Sequence, residues 1–141
     1  MATNTLESYS KKIATIQTAR RIVIKIGSSL LVDPIKHKLR EKWLNSLASD
    51  VSNLKKSGCD VVIVSSGAIA LGREHLKLDK SSLELEESQA AASIGQIKLA
   101  QAYEKYLKDY DIQASQILLT TEDSQNRKRY LNIRATLKVL L

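Results

Sequence analysis

A three-layer α/β fold around a mainly parallel sheet is predicted by three features of the sequence. Two short apolar runs, Arg21-Ile-Val-Ile-Lys-Ile26 and Val61-Val-Ile-Val64, each pass straight into glycine and serine. Between them Leu39, Trp43, Leu44, Leu47, Ala48, Val51 and Leu54 recur at helical spacing, the stripe of a helix packed on a sheet. Further helical patterns follow the second run, and strands alternating with helices in this way form parallel sheets with helices on their faces.

Residues 1 to about 20 are a polar extension in which Leu6, Ile13 and Ile16 suggest a weak amphipathic helix. The first strand and its glycine loop run from about 21 to 30, and Asp33-Pro34 marks a turn. The stripe helix follows and is stopped by Gly58. Four consecutive β-formers, Val61 to Val64, predict a strand covered on both faces. Ala68 to about Leu76 reads as a short helix, and a polar loop crosses Asp79 to Ser82. From Leu83 to Tyr110 the pattern is helical again, with an alanine-rich middle, Ala90 to Gly95, suited to close packing of neighbours. Ile112 to Leu119 predicts a third strand ending in Thr120-Thr-Glu-Asp123. The segment from about Gln125 to Leu141 is helical in pattern and stops within apolar residues. One of Arg127, Lys128 and Arg129 at its start is expected to pair with Glu122 or Asp123.

A chain of 141 residues fits one domain, and 43% hydrophobic with 26% charged residues is ordinary for a globular protein. The net charge of +7 favours anionic ligands, but the basic residues are spread along the chain. With 4% aromatic residues and no RNP, KH or zinc motif, a nucleic-acid-binding role is not expected. Cys59 is the single cysteine, which excludes an internal disulfide and fits a reducing compartment. No apolar run is long enough for a membrane span, so a cytoplasmic protein is expected. His37 and His75 lack partners at metal spacing, and no metal site is expected from this chain's own residues.

The chemistry is concentrated at the two strand ends. Ser65, Ser66 and Gly67 are expected to present free backbone N–H groups at a helix start, where unpaired donors and the helix dipole stabilise a carboxylate or phosphate. Upstream, Gly27-Ser28-Ser29 forms a second turn of the same kind. Lys25 alternates with the apolar positions of its strand and comes to the end beside Gly27, where an ammonium can reach a phosphate oxygen. Two such sites on neighbouring strands suggest a phosphoryl donor meeting an anionic acceptor. Neither G-x-x-x-x-G-K-[ST] nor G-x-G-x-x-G occurs, so a P-loop and a dinucleotide fold are both unsupported.

Four segments together resemble the glutamate 5-kinases of the amino acid kinase superfamily: Lys25-Ile-Gly-Ser-Ser-Leu30, Val61 to Arg73, Gln89-Ala-Ala-Ala-Ser-Ile-Gly-Gln96, and Asn126-Arg-Lys-Arg-Tyr-Leu-Asn-Ile-Arg-Ala-Thr-Leu137. The resemblance implies ATP-dependent phosphorylation of the side-chain carboxylate of L-glutamate, the first step of proline synthesis, with magnesium accompanying ATP. It implies that Lys25, Gly27 and Ser28 meet the ATP phosphates, with Lys25 catalytic, and that Ser66, Gly67 and Ala68 bind glutamate. It also implies a homo-oligomer and proline as a feedback inhibitor. Residues 21–141 then correspond to the amino-acid-binding part of an incomplete amino acid kinase fold, truncated before the nucleotide-binding lobe, and residues 1–20 to an extension. The chain alone is expected to be inactive and to self-associate through an exposed apolar patch or sheet edge. The alternative is an amino-acid-binding or regulatory α/β domain without catalysis.

Overall fold

A computed structural model of the chain describes residues 18–36, 38–78 and 82–141. The helix expected around Leu6, Ile13 and Ile16, together with His37 and most of the Asp79 to Ser82 loop, lies outside the described residues. The elements run β1 (Arg21–Ile26), α1 (Ser28–Leu31), α2 (Glu41–Lys56), β2 (Asp60–Ser65), α3 (Ala68–Leu76), α4 (Leu85–Lys108), α5 (Thr121–Gln125) and α6 (Arg127–Leu140).

β1 and β2 pair in parallel, with Arg21 opposite Asp60 and Ile26 opposite Ser65. The register puts Ile22, Ile24 and Ile26 on one face with Val61, Ile63 and Ser65, because side chains alternate along each strand. That face is covered. Leu44, Leu47 and Val51 of α2, Ile63 of β2 and Tyr103 and Tyr106 of α4 meet along one narrow apolar seam. Ile26, Leu31 and Leu44 are almost completely buried in the same core.

The other face carries Arg21, Val23 and Lys25 beside Asp60, Val62 and Val64. Arg21 donates to Asp60 at 2.8 Å at its near end. Val23 is 62% exposed and Val64 49%, so β2 is not covered on both faces as its unbroken apolar run predicts. The described residues thus form a parallel two-stranded sheet with helices on one face, and not three complete layers.

The predicted third strand is also corrected. Residues 112–120 form no ladder with β1 or β2, and a strand exists as an element only through such hydrogen bonds. Asp111, at φ +58°, and the bond from Ile112 N–H to Leu107 C=O at 3.1 Å turn the chain sharply at the end of α4. Ile112 and Ala114 still lay alternate side chains on the core, which accounts for the strand-like pattern.

The helix boundaries follow local chemistry. At the end of α2, Gly58 adopts φ +82° and donates to Lys55 C=O at 2.9 Å, while Cys59 donates to Leu54 C=O at 3.0 Å. These two bonds satisfy carbonyls left open at a helix end, in the pattern that favours glycine at this position. α4 opens with a capping box between Glu84 and Glu87. Asn126 caps α6, its Oδ1 accepting from the amides of Lys128 at 3.0 Å and Arg129 at 3.1 Å. Arg129 reaches Glu122 at 3.3 Å and Asp123 at 3.5 Å, the pairing expected from the sequence. α6 buries none of its side chains, and Tyr130, Leu131, Val139 and Leu140 stand exposed.

Candidate functional site

The parallel pairing brings the two predicted turns to the same end of the sheet. At the end of β1, Lys25 lies exposed on the open face opposite Val64 and forms no ion pair with a described residue. Gly27 follows with φ −75° and ψ 153°, a conformation open to any residue. A Cβ built on it meets nothing within 4 Å. Neither backbone nor packing therefore requires glycine at this position, and the missing side chain leaves the backbone open to close approach. The amides of Gly27 and Ser28 donate to no described residue.

At the end of β2 the ladder continues one residue further than expected. Ser66 N–H donates to Ile26 C=O at 3.1 Å, so its amide is not a free donor. Ser66 Oγ donates to the same carbonyl at 3.1 Å, which leaves its lone pairs for a donor on a ligand. Gly67, at φ +117° and ψ −4°, is the left-handed cap of α3. Its amide and that of Ala68 donate to no described residue and stand at the positive end of the α3 dipole. A Cβ on Gly67 would lie 3.7 Å from Ser28 Cα and 3.4 Å from the Val32 side chain, so the two turns adjoin.

α4 holds this end of the sheet from behind. Gly95 packs its backbone against the Ala68 carbonyl, and Gly72 packs against that of Ala91. Gly95 was legible from the alanine-rich run as a close-packing residue. Tyr103 was not. Its hydroxyl donates to Ser65 Oγ at 2.9 Å, and Ser65 Oγ donates to Ser66 C=O at 3.2 Å. Burial pushes the Tyr103 hydroxyl above its ordinary pKa, with the Ser65 bond acting against the shift, so it stays protonated at neutral pH. The signal that could have found Tyr103 is its place on one helical stripe with Gly95 and Leu99.

The arrangement can bind two anions side by side: one at Gly27 and Ser28 with the Lys25 ammonium, the other at the Gly67 and Ala68 amides. Among the described residues no group of His, Cys, Asp and Glu side chains is placed to hold a metal ion, and no helix is long and apolar enough to cross a membrane. A family model, the amino acid kinase family, matches residues 20–141. The chain belongs to the amino acid kinase family.

Similarity within this amino acid kinase family is high. The chain is 59% identical over 129 residues to the glutamate 5-kinase of Ruegeria sp. (strain TM1040), covering 92% of this chain and 35% of that protein. It is 58% identical over 122 residues to the glutamate 5-kinase of Bartonella henselae, covering 86% of this chain and 32% of that protein. The figures for the glutamate 5-kinase of Nitrobacter winogradskyi are 56% over 122 residues, 86% and 32%. The chain thus spans about a third of the length of the curated relatives it matches.

Proposed function

We propose that this chain is the amino-acid-binding part of a glutamate 5-kinase, which transfers a phosphoryl group from ATP to the side-chain carboxylate of L-glutamate. The observation that carries the reading is the contact between the Gly27-Ser28 turn and the Ser66-Gly67 turn, in a chain whose relatives bear that name. Residues 21–141 form this part and residues 1–20 an extension. The nucleotide-binding lobe belongs to a protein of the relatives' length.

A glutamate side chain has an ordinary pKa of about 4.3, so the nucleophile is ionised at neutral pH and needs no general base. What the protein must supply is alignment of two anions and stabilisation of charge on the group in transfer. The Gly67 and Ala68 amides hold the acceptor, and the Ser66 lone pairs receive a donor from it. Gly27 and Ser28 let the backbone approach the phosphates, and the Lys25 ammonium meets the transferring oxygens. Magnesium enters with the ATP phosphates. Homo-oligomeric assembly and feedback inhibition by proline belong to the same reading.

The test uses a protein extended to the length of the relatives. ADP release that requires both magnesium ATP and L-glutamate, and does not occur with aspartate, acetylglutamate or uridylate, is the expected result. Absence of glutamate-dependent ADP release would overturn it. If glutamate then still raised the melting temperature, the chain would be a binding domain without catalysis.

A further inference from the structure

The peptide unit joining Ser66 to Gly67 decides where the Gly67 amide points. It is trans and planar, so its N–H and C=O are directed oppositely, and whatever holds one end aims the other. The carbonyl end is held by Ser65 Oγ at 3.2 Å, and Ser65 Oγ in turn accepts the Tyr103 hydroxyl at 2.9 Å. A serine hydroxyl has one proton and two lone pairs; with Tyr103 donating to a lone pair, the Ser65 proton is directed to the Ser66 carbonyl. No other described hydrogen bond engages this peptide unit, because the ladder bond uses the N–H of the preceding peptide unit and the second bond to Ile26 uses the Ser66 side chain. Glycine lacks a Cβ and passes readily between positive and negative φ, so an untethered peptide at this point can turn over and carry its amide away from the site.

We infer that Tyr103 is a positioning residue: through Ser65 and the Ser66 carbonyl it holds the Gly67 amide toward the acceptor anion. This rests on the proposed role of Gly67 in binding glutamate, and it adds a residue of α4 to the determinants of that site. α4, which carries Tyr103, lies close against α3, the Gly95 backbone packing on the Ala68 carbonyl with no side chain of its own between them. The ring itself packs in the seam with Leu44 and Ile63. Tyr103→Phe therefore removes the hydroxyl and keeps the packing.

The experiment uses a protein of the relatives' length, with kinetics and glycine-selective nitrogen-15 labelling. Tyr103→Phe should raise the KM for glutamate roughly three- to tenfold, the effect of one lost hydrogen bond, and leave the KM for ATP unchanged, with only a small fall in melting temperature. Ser65→Ala should do the same, the double variant should be no worse than Ser65→Ala, and Ser65→Thr should restore the ordinary value. The Gly67 amide resonance should shift or broaden in Tyr103→Phe before any substrate is added. An unaltered Gly67 resonance, or equal increases in both KM values, would overturn the relay. A perturbed Gly67 resonance in a protein that shows no glutamate-dependent turnover would leave the relay standing and remove the substrate reading.

Discussion

The carbonyl oxygen of Ala68 lies directly against the backbone of Gly95, so that a methyl group added to Gly95 would overlap it and would also stand 2.8 Å from the Gly72 nitrogen. Both atoms belong to α3, whose first residues carry the candidate acceptor site. Close approach of α4 at this point is what sets the depth of that helix against the sheet.

Gly95→Ala is therefore expected to destabilise the fold by about 1–3 kcal/mol or more, since rigid backbone and not a flexible side chain must give way. Urea unfolding of the variant checks it. A loss below about 0.5 kcal/mol, the scale of an ordinary surface substitution, would show that the helices separate at little cost.

Gly27→Ala tests the opposite kind of glycine. The φ of −75° and the open space beside it mean that the fold accepts alanine, and relief of unfolded-state entropy should stabilise the protein by about 0.4–1 kcal/mol. On the proposed reading the added methyl obstructs the phosphate approach, so turnover should fall while the melting temperature holds or rises. A variant with full turnover would mean that no ligand comes close to Gly27.

Lys25→Ala should lower kcat by roughly a hundredfold or more, as removal of a group that stabilises the transferring phosphoryl oxygens does. Stability should change little, because the side chain is exposed and has no ion pair among the described residues. Comparison of kcat with the unfolding midpoint separates the two effects. Turnover within a few fold of the parent would remove Lys25 from the chemistry.

The elements readable from sequence were those whose signal is local. The α2 stripe with its glycine stop, the Ala68 start of α3 and the helical pattern of α6 each depend on residues within a few positions of one another. Strand pairing is not local in that sense. Ile112 to Leu119 carries strand-forming residues, yet without a neighbouring ladder it remains irregular, and the open face of Val23 and Val64 depends on where distant helices go. The site divides in the same way. Lys25, Gly27, Ser66 and Gly67 were visible because strand and turn residues adjoin in the chain. Tyr103 was hidden because its partner Ser65 is 38 residues away and only the packing of α4 brings them together.

Ser66 separates binding from folding most cleanly. Its hydroxyl and its amide both donate to the Ile26 carbonyl, so after Ser66→Ala that carbonyl keeps its ladder bond and the stability loss should stay near 0.5–1.5 kcal/mol, roughly the net value of one hydrogen bond. The ligand loses more. A donor group on glutamate that was satisfied by the Ser66 lone pairs is left buried without a partner, which weakens binding by about 1–3 kcal/mol. Steady-state kinetics on a protein of the relatives' length should show the KM for glutamate raised and that for ATP unaltered. A raised KM for ATP with normal glutamate affinity would mean that the turn after β2 receives the nucleotide and the turn after β1 the acceptor, reversing the assignment of the two strand ends.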